Sequence, residues 1–259
     1  MIITKLQGGL GNQLFQWAYG KALAAKNGTN LFLDTSFYYN QTGNTHRNYE
    51  LTKFPNLICK NPEIEDKKTI IIGDNFQYNE FIYNENYHYY LNGFWQSEKY
   101  FLNASDLIRK QLQPTTEIIE KLKQQINGKS VSLHVRRTDY VTSNGFHPVQ
   151  TLEYYNKALE IIGNHDQLLV FSDDINWCKE NLKYENILFI ENQDNVEDLW
   201  LMSLCDHNII ANSSFSWWGA WLNKNKNKIV IAPNNWFGVQ TNLNNLDIIP
   251  ANWVKYEPQ

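Results

Sequence analysis

Cysteine is scarce in this chain of 259 residues: Cys59, Cys178 and Cys205 are far apart, with no Cys-x-x-Cys pair. That excludes a disulfide framework and a cysteine-built zinc site. No apolar run approaches the roughly 20 residues that span a bilayer. The opening Met1–Leu6 is too short for the apolar core of a signal peptide and turns at once into glycines. The chain therefore reads as cytoplasmic, with at most peripheral membrane contact. An excess of basic charge is also missing: 23 Lys and Arg stand against 27 Asp and Glu, a formal net charge of −4. A broad basic face for nucleic acid is thereby excluded, so an anionic ligand needs a local cluster of cations. The full phosphate-binding pattern Gly-x-x-x-x-Gly-Lys-Ser/Thr is absent, since Gly128-Lys129-Ser130 has Lys123 where the first glycine is needed, and there is no His-Glu-x-x-His and no Gly-x-Ser-x-Gly.

What the chain has is apolar and aromatic. Hydrophobic residues make up 42%, enough for an ample core, and the polar weight falls on Asn and Gln rather than on charge. Nine Trp and 15 Tyr bring the aromatics to 14%. Aromatic faces stack on sugars and bases, although core packing is their commoner use. The length allows one large domain or two small ones, at roughly 100–200 residues each.

Periodicity then sets the class. Ile2–Leu6 reads as a buried strand, Gly8 to Gln13 as a glycine loop, Leu14–Ala25 as a helix and Asn30–Asp34 as a second strand. Residues 36–68 are rich in Asn, Tyr and charge and show no clear period. Further strands are expected at Thr69–Gly73 and Tyr89–Gly93, and helices at Ser97–Gln113 and Thr115–Ile126. From Ser130 onward five apolar strands, at 130–135, 168–171, 187–190, 209–211 and 229–232, alternate with helices. Such alternation predicts parallel sheets covered on both faces. The reading is an α/β protein of two Rossmann-like lobes with a cleft between them, residues 1–127 on the acceptor side and 128–259 on the nucleotide side.

Ligands of open α/β sheets sit at the carboxyl ends of strands, and the polar motifs fall there. Gly8-Gly9-Leu10-Gly11-Asn12-Gln13 joins a strand to a helix, where backbone N–H groups favour an anion and the amides of Asn12 and Gln13 suit a sugar. A tight βα turn is the alternative. The dinucleotide fingerprint fails, because its third glycine position is Leu14. His134-Val135-Arg136-Arg137-Thr138-Asp139 carries the strongest signal. A buried strand ending in two arginines needs an anion or carboxylate partners, and a guanidinium forks onto phosphate oxygens. Alternation puts His134 and Arg136 on one face and Arg137 on the other. Asp139 is the obvious carboxylate partner. Asp173-Asp174 opens a helix, and capping or ribose contact suits these adjacent acids better than a metal. Asp198, in a helix's first turn, is a dipole acid or a reader of a base edge. Asn212-Ser213-Ser214-Phe215 begins another helix and offers a second anion site, with a plain Ser cap as the alternative. Trp217, Trp218 and Trp221 read as core. His147 lies in the loop after the arginine strand, within reach of an acceptor.

These segments, in this order, resemble the bacterial α-1,2-fucosyltransferases of glycosyltransferase family 11, and His-x-Arg-Arg-x-Asp is shared more widely with α-1,6- and protein O-fucosyltransferases. The resemblance implies a GT-B-like fold and metal-independent, inverting transfer of fucose from GDP-fucose to the 2-hydroxyl of a terminal β-galactose on an oligosaccharide or glycolipid, as in O-antigen units. No cofactor is required. Carried over by position, Arg136 would hold the diphosphate beside His134. Ser213, Ser214 and Phe215 would line the phosphate and fucose pocket, with Asn212 and Asp173 alongside. Asp198 would read guanine, and Gly9, Gly11, Asn12 and Gln13 would close over the sugar. Arg136, Asp139 and His134 would form the catalytic set. The acidic base of the α-1,6 enzymes has no counterpart at residues 140–144; Asp139 is the candidate base, with orientation of Arg137 or the acceptor as its alternative role. Two rivals stand against this. An NAD-linked oxidoreductase suits the fold but lacks the third glycine. A non-catalytic galactoside-binding module explains the aromatics but not two convergent anion sites. Another GDP-sugar or linkage is a variant of the transferase reading.

Overall fold

The computed structural model describes residues 1–41, 45–57, 67–74, 76–142, 145–243 and 245–256. Cys59 and much of the stretch 36–68 lie outside them. The chain forms two units. One is Met1–Gln113 with Leu243–Pro250, the other Pro114–Asn242 with Ala251–Gln259. Among the described residues no helix is long and apolar enough to cross a membrane.

The first unit holds a four-stranded parallel sheet: β1 (Ile2–Lys5), β2 (Leu31–Asp34), β3 (Thr69–Gly73) and β4 (His88–Asn92), in the order β2-β1-β4-β3. Helix α1 (Leu10–Lys26) packs on it, burying Leu14, Phe15, Trp17, Ala18 and Ala22. The helix begins at Leu10, so Gly11, Asn12 and Gln13 belong to its first turn and only Gly8 and Gly9 remain loop. The expected helix at Ser97–Gln113 is broken. Two 3₁₀ turns precede α2 (Ser105–Gln111), because Phe101, at φ −139°, leaves helical geometry and is fully buried against Phe15.

Gln13 ties down part of the irregular stretch after β2. Gln13 is wholly buried; its Nε2 donates to the carbonyls of Gly8 (3.1 Å) and Asn48 (2.8 Å), and its Oε1 accepts from Glu50 N–H (2.9 Å). The amide that suggested a sugar ligand is thus committed to the backbone.

The second unit is built on β5 (Ser130–Val135), buried along its whole length. Its sheet also contains β6 (Gln167–Ser172), β7 (Ile187–Phe189), β8 (His207–Ile209), β9 (Val230–Pro233) and β10 (Val254–Tyr256). The order is β10-β9-β8-β5-β6-β7, all parallel. Its helices are α3 (Thr116–Lys123), α4 (Thr138–Val141), α5 (Leu152–Ile162), α6 (Ile175–Asn181), α7 (Asn195–Leu204) and α8 (Ser214–Leu222). A boundary at 127/128 would leave α3 with the first unit. Instead α3 goes with the second: Leu122 is buried, and Lys121 pairs with Glu197 of α7 at 2.7 Å. Trp217, Trp218 and Trp221 are core, as their spacing suggested.

Gln13→Ala should lower stability by about 2–4 kcal/mol, since buried backbone groups lose their partners. Chemical denaturation checks this; a loss below about 1 kcal/mol would mean the 48–50 segment is held by other contacts.

Candidate active site

The six-stranded sheet reverses its direction of growth between β5 and β8. The chain steps from β5 to β6 and β7 on one side, then returns to β8 and moves out to β9 and β10 on the other. Open α/β sheets bind ligands outside the carboxyl ends of the strands at such a point. Two sequence motifs end there. The His134 and Phe215 rings lie 5.7 Å apart, and the Tyr140 hydroxyl donates to the Asn212 carbonyl at 2.9 Å.

The two arginines part immediately beyond β5. Arg136 has Nη2 2.7 Å from Asp139 Oδ1 and Nη1 3.3 Å from Asp173 Oδ2. Arg137 instead lies 4.0 Å above the Trp177 ring, with Nε 3.3 Å from Asp174 Oδ2. Asp173 is a brace. It accepts the Arg137 N–H at 2.9 Å and the Thr138 hydroxyl as well as facing Arg136. Burial works against its charge, yet Arg136 and these hydrogen bonds hold the carboxyl below its ordinary range. Capping falls to Asp174, which accepts the Trp177 N–H at 3.2 Å.

His134 is 4% exposed, and its Nδ1 has no hydrogen-bond partner among the described residues. Burial, then the neighbouring Arg136 charge, push its pKa down to about 3, so the ring is neutral at physiological pH. Beside it begins α8. Its cap residue Ser213 is extended and makes no side-chain cap bond, leaving first-turn N–H groups uncapped by that hydroxyl. Asn212 is fixed from both ends: Gln150 Nε2 donates to its Oδ1 at 3.1 Å, and its Nδ2 donates to the Trp236 carbonyl at 3.0 Å. Ser214 and Phe215 are half-buried.

Sequence reasoning missed the wall formed by Tyr140, Phe237 and Gln150. Tyr140 stacks on His147 at 4.6 Å and lies 5.4 Å from the Arg136 guanidinium, and Phe237 closes on His147 at 5.8 Å. The loops around 147 and 237 are tied by Gly238 N–H donating to the Phe146 carbonyl at 3.0 Å. No periodic signal links segments so far apart; the aromatic after Asp139 was the only cue.

Asp198 sits in the first turn of α7, after β7, two strands from β5. Its carboxyl accepts from Gln193 Nε2 at 3.1 Å, and burial pushes its pKa up to about 7. In the first unit, Gly9 caps α1, Gly11 is buried, and Asn12 is half-buried on the first turn. Among the described residues no three His, Cys, Asp or Glu side chains gather as metal ligands would.

A carboxyl raised in the folded state favours folding below its unfolded pKa, and that contribution is lost as pH rises through the folded value. Asp198→Asn should therefore gain thermal stability over the parent as pH rises from 5 to 8, on the order of 5 °C in relative Tm. A pH-independent difference would mean Asp198 is not desolvated.

Comparison with known proteins gives the family and the fold. The Glycosyl transferase family 11 model matches residues 56–257. An Escherichia coli protein named Alpha-1,2-colitosyltransferase is 36% identical, with 99% of each chain covered. The O-antigen biosynthesis glycosyltransferase WbnK of E. coli is 33% identical, covering 90% of this chain and 93% of its own. Among solved structures, NodZ α-1,6-fucosyltransferase co-crystallised with GDP superposes with a TM-score of 0.51 at 13% identity, over 84% of this chain and 90% of its own. That last likeness is one of fold: GT-B-like, with parallel-sheet α/β units.

Proposed function

The chain belongs to glycosyl transferase family 11, and we propose that it transfers L-fucose from GDP-fucose to the 2-hydroxyl of a terminal β-galactose, with inversion and without a metal. One observation carries this reading: Arg136, braced by two carboxylates, stands beside the buried neutral His134 and the start of α8 at the point where the sheet reverses. Such a site suits a diphosphate. The bond from fucose C1 to the β-phosphate oxygen breaks, and its electron pair goes to the phosphate. Negative charge grows there while positive charge grows on the sugar ring, as in glycosidase transition states. Arg136 and the α8 N–H groups meet that charge with fixed donors. The acceptor oxygen bonds to C1 from the opposite face and releases its proton, for which Asp139 is the candidate. Asp198 would accept from the guanine edge. It lies two strands from β5, roughly 10 Å at sheet spacing, a distance a nucleoside can bridge from its diphosphate.

A second donor is favoured by the name of one relative. Colitose is fucose without its 3-hydroxyl. A site built to bond that hydroxyl rejects the deoxy sugar by roughly 10⁴-fold, whereas an apolar pocket rejects the added hydroxyl by only about 10²-fold. The printed name of WbnK favours an O-antigen unit as natural acceptor.

The test is transfer to lactose from GDP-fucose and from GDP-colitose in parallel, with and without EDTA, with the product linkage read by NMR. The expected product is 2′-fucosyllactose, formed equally with EDTA. Arg136→Ala should cost at least 10²–10³ in kcat at unchanged fold by circular dichroism. Near wild-type turnover in that variant would sink the diphosphate assignment. GDP binding without transfer from either sugar would overturn the donor reading.

A further inference from the structure

The central strands of the first sheet, β1 and β4, carry at their carboxyl ends two side-chain amides that meet. Gln96 Nε2 donates to Asn12 Oδ1 at 2.8 Å. Within the glycine motif, Gln13 is spent on the backbone, and Asn12 Nδ2 is the side-chain donor left over among the described residues. A primary amide can turn through 180° and exchange donor for acceptor. Here it is held. The Gln96 NH₂ group can only donate, so Oδ1 must face it. Gly8, at φ +79°, lies so close that a Cβ there would stand 2.7 Å from Asn12 Nδ2.

Gln96 is held in turn. Asp74 Oδ2 accepts the N–H groups of Phe94 (3.0 Å) and Trp95 (2.8 Å). Trp95 is buried at φ +54°, wedged 4.8 Å from Tyr19 and 5.4 Å from Tyr100. A bulky residue at positive φ is strained and persists only where its surroundings over-determine it. Gln96 Oε1 is also buried without a partner, so this amide is not oriented for its own best hydrogen bonding. A strained backbone and an orphaned oxygen thus stand beside the bond from Nε2 to Asn12.

Resting on the transfer reading above, we propose that Gln96 is a positioning residue: it fixes the Asn12 amide so that Nδ2 stays available as a donor to a sugar hydroxyl. Gln96→Glu tests this, because a nearly isosteric carboxylate only accepts and turns the Asn12 amide round. The expected result is a fall of about 10²-fold in kcat/KM with GDP affinity unchanged, alongside a loss of Tm from the buried charge. Asn12→Asp should fall similarly. The double variant should be no worse than the poorer single one, since both remove the same donor. A rise confined to the acceptor KM places the hydroxyl on the acceptor; a change in donor KM or kcat places it on the transferred sugar, and either supports the role. Activity of Gln96→Glu within threefold of the parent, or losses that multiply in the double variant, would overturn it. A second readout needs no turnover. The ¹H–¹⁵N side-chain signal of Asn12, identified by its loss in Asn12→Asp, should shift in Gln96→Glu. An unmoved signal overturns the inference even if no GDP-sugar proves to be a donor; failed transfer in the parent with a shifted signal overturns only the functional reading.

Discussion

The second unit depends on how one guanidinium is held at the end of a buried strand. Strand β5 is covered on both faces, so Arg136 leaves it with few routes to water. An unpartnered charge there would be very costly. Asp139 comes three residues later, on the one-turn helix α4, and Asp173 comes from the end of the neighbouring β6. Two carboxylates from two strand ends therefore fix one cation. The same Asp173 collects the Arg137 N–H and the Thr138 hydroxyl, which locks the turn that aims the guanidinium. Arg136 is consequently preorganised before any ligand arrives, the condition under which a fixed charge contributes most to a reaction.

That arrangement separates what the sequence made legible from what it did not. Strands β5, β6, β7 and β9 could be read from their apolar runs, because a covered parallel strand advertises itself, whereas β8 pairs at His207–Ile209, two residues before the expected 209–211. Strand β10 could not: it is three residues long, with Lys255 at its centre, too short for any period. The adjacent acids Asp173 and Asp174 showed that carboxylates open the helix after β6. Which one caps and which one braces Arg136 depends on the register between β5 and β6, which no local pattern encodes. Gln13 shows the reverse difficulty. A glutamine beside glycines at a helix start suits a ligand, yet its amide closes a contact with residues 48–50, far away in the chain. The packing of Tyr140 and Phe237 around His147 was invisible for the same reason.

The unsatisfied groups have a common logic. Buried polar atoms in native proteins are nearly always paired, so exceptions call for an explanation. In the second unit the orphaned Nδ1 belongs to His134, next to the arginine and the start of α8. In the first the orphaned Oε1 belongs to Gln96, whose other amide atom holds Asn12. Each stands at the carboxyl edge of its sheet, among strained or braced segments. Other polar groups on those edges are spent: Asp74 on two backbone N–H groups, Asp34 on the Tyr90 hydroxyl, Asn212 on Gln150 and Trp236; Trp95 Nε1 and Asn235 Oδ1 are further orphans.

On the proposed function, the charged and dipolar features read from motifs address the part of the donor that GDP-fucose and GDP-colitose share. Arg136, His134 and the α8 terminus suit the diphosphate, and Asp198 suits a base. None of them is placed to distinguish a hydroxyl at C3 from a hydrogen. This is what the chemistry requires: charge on a leaving group is met by a few cations and dipoles, and those recur in recognisable patterns. A single hydroxyl is read by one or two neutral side chains, which leave no pattern in one sequence. Family membership and donor identity are therefore different kinds of question. The first is answered by likeness along the whole chain. The second would turn on neutral side chains of the kind proposed for Asn12, whose meaning depends on which way an amide is turned.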